Sequence, residues 1–189
     1  MINIIGKGLI IIKHYASNMV AEVKVENRKP MRIIVEGPDC SGKSTVVDRI
    51  KNALRWDSKS LHHKEGDQFL RYLKEYALNS QIVFDRSHFS EIVYSILWRN
   101  GSPFSGKEKE MLDELCRYRT LIIFTCPDLK TMKKRYNERK FMQQIKYNEL
   151  ERSRKLFCQM FRNIPYILYR SENYDELEAL VKKVAEMAL

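Results

Sequence analysis

Gly37-Pro38-Asp39-Cys40-Ser41-Gly42-Lys43-Ser44 has the spacing G-x-x-x-x-G-K-[ST]. That spacing suits a chain of phosphates. The N–H groups of a tight loop wrap the anion, and glycines let the backbone approach without a Cβ in the way. The helix that follows points the positive end of its dipole at the same place. Lys43 then reaches the β- and γ-phosphates, and the Ser44 hydroxyl is placed for Mg²⁺. With only 7 glycines in 189 residues, a chance match is rare. The run from Gly37 to Thr45 is therefore read as a nucleotide-binding loop. Cys40, inside it, is read as a space filler.

A second chemical segment is Asp85-Arg86-Ser87-His88-Phe89-Ser90-Glu91-Ile92-Val93-Tyr94. An aspartate at the end of an apolar run, brought beside a phosphate loop, can hold Mg²⁺ or take a proton from an acceptor hydroxyl. Arg86 can clamp an anionic oxygen with two parallel hydrogen bonds. The competing structural reading is an Asp–Arg pair capping a helix at Ser87 or Ser90.

Positioning these groups requires strands that end where the motifs begin. Arg32–Glu36 is a short apolar run ending at Gly37-Pro38, and a helix is expected from about Ser44 to Leu54. Leu61-His62-His63 reads as a short second strand. Gln68–Leu78 reads as a helix with Phe69, Leu70, Leu73, Tyr76 and Ala77 on its apolar face. Gln81–Phe84 is a buried strand ending at Asp85. Helices are expected over Ser90–Arg99 and Lys107–Tyr118, then a strand over Leu121–Phe124. Two helices (Asp128 to about Arg139, about Gln144 to Phe161), a strand at Tyr166–Tyr169 and a helix at Tyr174–Ala188 complete the chain. Short apolar strands alternating with amphipathic helices imply an α/β fold with a parallel sheet wrapped by helices. Ligands then bind beyond the carboxyl ends of the strands, where Gly37 and Asp85 should meet. Residues 1–30 form an N-terminal extension, a hairpin or an arm, and residues 31–189 the domain that carries the chemistry.

Gly37-x-Asp39 with Gly42-Lys43-Ser44-Thr45, followed by Asp85-Arg86-x-x-x-Ser90-x-x-x-Tyr94, resembles the thymidylate kinase family. The likeness is greatest to the short thymidylate-kinase-like proteins of bacteriophages, and it runs from about Met31 to the end. The resemblance implies a P-loop NTPase fold: a five-stranded parallel sheet flanked by helices, with a basic helical lid. It implies ATP and Mg²⁺ as cofactors, with Lys43 and Ser44 on the phosphates and metal. It makes Asp85 the base or metal organiser and Arg86 the clamp on the acceptor. Asp39, Arg86, Ser90 and Tyr94 would bind substrate. Two positions depart from the family: Ser87, where an aromatic residue is common, and Ser95, where glutamine is common. Asp-Arg-Ser also resembles the Glu-Arg-Ser of deoxynucleoside kinases.

Between Lys130 and Arg162 stand eleven basic and three acidic residues. Arg135 and Arg139, four apart, share a helix face. The resemblance makes them lid arginines that meet the charge spreading over a transferring phosphoryl group; the structural alternative is a solvated cationic helix. His62, His63, Lys64, Tyr147 and Arg152 are weaker acceptor-side candidates.

Composition sets the outer limits. The 34 Lys and Arg outweigh the 24 Asp and Glu, for a net charge of +10. Such a surface attracts polyanions: nucleotides, nucleic acid such as DNA, or an anionic membrane. No apolar run nears the roughly 18 residues of a membrane span. The cysteines (Cys40, Cys116, Cys126, Cys158) contain no C-x-x-C pair, which argues against zinc or a disulfide framework and for a reducing cytoplasm, that of a host if the protein is viral. The family resemblance implies phosphoryl transfer from ATP to a thymidine-type pyrimidine deoxynucleotide, as in dTMP to dTDP. The alternatives are phosphorylation of 5-hydroxymethyluracil in phage DNA, which a related phage group resembling thymidylate kinases performs, and ATP binding without transfer. Thymidylate kinases often dimerise, so the resemblance also admits a homodimer.

Overall fold

The computed structural model describes residues 3–4, 9–13, 20–24, 29–138, 145–170 and 173–189. Near the start, β1 (Asn3–Ile4), β2 (Leu9–Lys13) and β3 (Val20–Lys24) pair antiparallel, with Asn3 opposite Ile11 and Leu9 opposite Lys24.

The second sheet begins with β4 (Arg32–Glu36), which is buried throughout. Full burial on both faces explains its continuous apolar sequence. The loop from Gly37 leads into α1 (Lys43–Leu54). Next come β5 (Asp57–Ser60), α2 (Gln68–Leu78), β6 (Ile82–Asp85) and α3 (His88–Trp98). Then follow α4 (Gly106–Arg117), β7 (Thr120–Thr125), α5 (Leu129–Glu138), α6 (Leu150–Met160), β8 (Ile167–Tyr169) and α7 (Tyr174–Ala188). The strand order is β5-β6-β4-β7-β8, every pairing parallel. The expected five-stranded parallel sheet is therefore present, and the strand order changes direction at β4, where the loop leaves.

Alternation along β4 sorts the core into two layers. Ile33 and Val35 join Val46, Val47 and Ile50 of α1, and Val181 and Val184 of α7. Ile34 faces the opposite layer with Phe84, Tyr72, Phe89, Leu112 and Phe157, contributed by β6, α2, α3, α4 and α6. Arg32, at the entry of β4, donates to the carbonyls of Tyr76, Leu115 and Tyr118. One guanidinium thus satisfies open carbonyls at the ends of α2 and α4.

Two expectations shift. The second strand lies at Asp57–Ser60, not Leu61-His62-His63. It is an exposed edge of polar residues, fixed by pairing Ser60 with Asp85 rather than by burial. On α2 the buried residues are Gln68, Tyr72 and Tyr76, while Leu70 and Ala77 face outward. Among the described residues no helix is long and apolar enough to cross a membrane.

Candidate functional site

The loop after β4 is locked from below. Thr125, at the end of β7, donates through Oγ1 to the Glu36 carbonyl (3.0 Å), and its Oγ1 lies 2.7 Å from Ser41 Oγ. A Cβ on Gly37 would sit 2.1 Å from the Thr125 carbonyl oxygen, so only glycine fits there. Gly42 caps α1 in a left-handed conformation (φ 91°), with no side chain covering the N–H groups of the first turn. No acid occupies that turn either, so its open donors and dipole remain available to an anion. Ser44 and Thr45 are exposed at the same end.

Lys43 is buried and folds back onto the loop, donating to the carbonyls of Gly37 (2.8 Å) and Pro38 (2.7 Å). Burial, and then Arg86, push its pKa down to about 8. Asp39 lies 4.0 Å away and is also bonded by Arg86 at 2.5 Å. Burial pushes the Asp39 carboxyl up, but Arg86 and then Lys43 overcome it, leaving the pKa lowered.

Asp85 ends β6, directly beside β4. The register places it opposite Val35, and the Arg86 N–H donates to the Val35 carbonyl (3.1 Å). The carboxylate therefore lies on the same edge as the phosphate loop. Its Oδ1 is buried without a hydrogen-bond partner, which is costly unless a ligand supplies one. A hard divalent cation accepts carboxylate and hydroxyl oxygens, so Asp85 and Ser44 fit such an ion chemically. Arg86 holds a positive φ of 79°, as Cys40 does at 64°. Non-glycine residues in that region are strained and cluster at functional sites. The Arg86 guanidinium lies 4.9 Å from the Tyr94 ring centre, and Tyr94 stacks on Trp98 at 4.8 Å. The buried Tyr94 hydroxyl stands close to Arg86 and Asp39 without a well-formed hydrogen bond to either.

The hydroxyl of Ser90, expected on the substrate side, is buried and donates to Glu36 Oε2 (2.6 Å). Glu36 is fully buried and also takes the N–H groups of Gly37, Ser87 and Ser90 and the Ser87 hydroxyl. Burial raises its pKa, while the serine hydrogen bonds pull the other way. This residue joins the loop to the start of α3. The available signal was a charged residue ending an apolar strand immediately before the loop.

Arg135 on α5 crosses to the loop and donates to the carbonyls of Ser41 (2.9 Å) and Cys40 (3.4 Å). Arg139 lies outside the described residues. Beside Arg135 opens a cleft of about 430 Å³, lined by Ser41, Thr45, Arg135, Tyr169, Asn173 and Tyr174 among others. The last three come from the β8–α7 junction and carry no sequence motif. On the other side of the loop, burial and then Arg86 lower the pKa of His62, which favours a neutral imidazole. His63 pairs through Nδ1 with the buried Glu91 (2.8 Å), which Arg99 also holds (2.5 Å).

No protein-family model matches the chain. The SPbeta prophage-derived protein YorR of Bacillus subtilis is 23% identical over 112 residues, covering 57% of this chain and 68% of that one. The crystal structure of YorR in complex with phosphorylated GDP superposes with a TM-score of 0.68 at 20% identity, over 81% of this chain and 92% of YorR. Deoxyadenosine kinase from M. mycoides with bound dCTP gives 0.54 at 15%, over 82% and 100%. Thymidylate kinase from Candida albicans gives 0.54 at 18%, over 84% and 92%. The fold is that of the P-loop kinases. At these identities the likeness speaks for architecture alone.

Proposed function

We propose that this chain is an ATP-dependent phosphotransferase acting on a thymidine-type pyrimidine deoxynucleotide, as in dTMP to dTDP. One juxtaposition carries the reading: an uncapped helix start and Lys43 lie on the same sheet edge as a buried, partnerless carboxylate oxygen of Asp85. The open N–H groups of α1 bind the triphosphate. Lys43 leaves the Gly37 and Pro38 carbonyls for the β- and γ-phosphates. Arg135, which the structure holds at the loop carbonyls, turns to the phosphoryl group in transit. Tyr169 and Tyr174 flank the cleft that would take the donor base. Arg86, oriented by Asp39, fixes the acceptor, and the Tyr94 ring forms its wall. Mg²⁺, held by Ser44 and Asp85, would neutralise charge on the phosphate oxygens.

A second reading is a hydroxyl acceptor, such as 5-hydroxymethyluracil in phage DNA. The unpartnered Asp85 oxygen favours it, because a neutral hydroxyl needs a base and an anionic phosphate does not. The prophage origin of YorR points the same way.

The test is transfer from γ-labelled ATP with Mg²⁺ to dTMP, to thymidine, and to DNA with or without 5-hydroxymethyluracil. Label in dTMP supports the first reading, and label confined to hydroxymethylated DNA replaces it with the second. ATP retention with no label anywhere overturns both. Lys43→Ala and Asp85→Ala should each lower turnover at least about a hundredfold.

A further inference from the structure

Cys126 and Cys158 stand 32 positions apart in the chain, yet their Sγ atoms are 3.5 Å from one another. Cys126 directly follows β7 and is 1% exposed; Cys158 is on α6 and only partly buried. Neither sulfur takes part in the phosphate or acceptor geometry. We propose that the pair is an oxidation site, at which a peroxide converts the two thiols into a disulfide joining α6 to the carboxyl end of β7.

The surroundings set the order of steps. Arg154, one turn before Cys158, donates through Nε to the carbonyl of Pro127, the neighbour of Cys126 (3.0 Å). The hydrogen bond shared with Cys126 lowers the Cys158 pKa against the opposing effect of burial, and the charges of Arg154 and Arg170 add to the lowering. The same shared bond and burial push the Cys126 thiol up. Cys158, the more accessible sulfur, is therefore the nucleophile. Its thiolate attacks one oxygen of hydrogen peroxide and breaks the O–O bond. The products are a sulfenic acid and a hydroxide, which takes up a proton as water. Cys126 then attacks the sulfenic sulfur, loses its thiol proton and expels a second water. Two thiols are oxidised by two electrons and one peroxide is reduced. The sulfurs must close from 3.5 Å to about 2.05 Å.

The position gives the cross-link its consequence. The closed loop contains α5, which carries Arg135 to the phosphate loop, and Cys126 adjoins Thr125, which supports Gly37. The two ends of that segment would be tied together.

The experiment treats the reduced full chain with hydrogen peroxide, blocks remaining thiols and maps peptides by mass. The expected product joins the Cys126 and Cys158 peptides, about 2 Da below their sum, and is reversed by dithiothreitol. The oxidised protein should melt a few degrees higher than the reduced one, because the cross-link restricts the unfolded chain. Cys158→Ser should melt near the reduced wild type and show neither cross-link nor thermal response. Cys126→Ala should stop at a sulfenic acid on Cys158, captured by dimedone. The proposal fails if Cys126 and Cys158 remain free thiols while Cys40 or Cys116 carries the oxidation. It fails equally if Cys158→Ser responds to peroxide as the wild type does. None of these readouts requires phosphoryl transfer, so they stand apart from the proposed reaction.

Discussion

Glu36 has the most demanding environment of any carboxylate described. Three N–H groups, which can only donate, point at it. The Ser87 hydroxyl accepts from the Phe89 N–H (3.2 Å), so its own proton is directed to Glu36. A carboxylate can accept all of these bonds; an amide cannot. In Glu36→Gln the new NH₂ would face either the Gly37 N–H or the donors of Ser87 and Ser90. The expected loss is about 2 to 3 kcal/mol, the scale of buried donors left unpaired. With a urea slope of about 2 kcal/mol per molar, the unfolding midpoint should fall by about 1 M or more. An unchanged midpoint would mean that Glu36 is already protonated in the folded chain and that glutamine replaces it without conflict. Because the same carboxylate joins the Gly37 turn to the head of α3, phosphate binding should weaken in the variant as well.

At the scale of elements, the junction of α2, α3 and α4 is tied by side chains rather than by apolar packing alone. Buried His88 lies between the Tyr76 hydroxyl (2.8 Å at Nδ1) and Asp113 (2.9 Å at Nε2), and Lys109 supports Asp113 at 2.6 Å. Burial lowers the His88 pKa, with Asp113 opposing. Below the ordinary value of 6.5 the unfolded chain takes up a proton that the folded chain still refuses, so stability falls as pH drops through that value. Burial pushes the Asp113 pKa up, but its bonds to His88 and Lys109 leave it below the ordinary 3.8. Its contribution is therefore present above 3.8 and is lost at lower pH. His62, also lowered, adds slope of the same sign as His88. Melting temperature should thus decline steadily from about pH 6.5 toward 5. His88→Gln should melt lower at pH 7.5 but show a flatter slope over that interval; an equally steep slope would remove His88 as its source. These long-range ties mark the limit of what sequence discloses. The phosphate loop and Asp85-Arg86 were legible because each is a strand, a turn and a helix start in one continuous stretch. The exposed strand β5 was not, since Asp-Ser-Lys-Ser has no apolar alternation to read. Tyr169, Asn173 and Tyr174 meet the loop only through the parallel pairing that carries β8 to its place. Glu36 was visible as a residue, but its five donors come from two separate segments.

For the molecule as a whole, the phosphate loop is the point where both core layers end. Ile33 and Val35 of β4 belong to one layer and Ile34 to the other, and the strand runs directly into Gly37. β7 braces the loop through Thr125, α3 through Glu36, and α5 through Arg135. A ligand seated there should therefore stabilise the entire cooperative unit rather than one loop. The net charge of +10 adds to this, because a bound polyphosphate relieves repulsion that disfavours the compact chain. At a free ATP concentration about a hundredfold above its Kd, linkage gives about 2.7 kcal/mol. For a chain of this length that corresponds to a rise of about 5 to 10 °C in melting temperature. Inorganic tripolyphosphate at the same concentration separates the two parts of the effect. It should reproduce the electrostatic part and lose whatever the Tyr169–Tyr174 cleft contributes through the nucleoside. Lys43→Ala should reduce both shifts, and salt should weaken tripolyphosphate more than ATP, since on the proposed reading only the latter also places an aromatic base in the cleft. Equal shifts from ATP and tripolyphosphate at every salt concentration would show that the cleft holds no nucleoside, and that the loop binds phosphate alone.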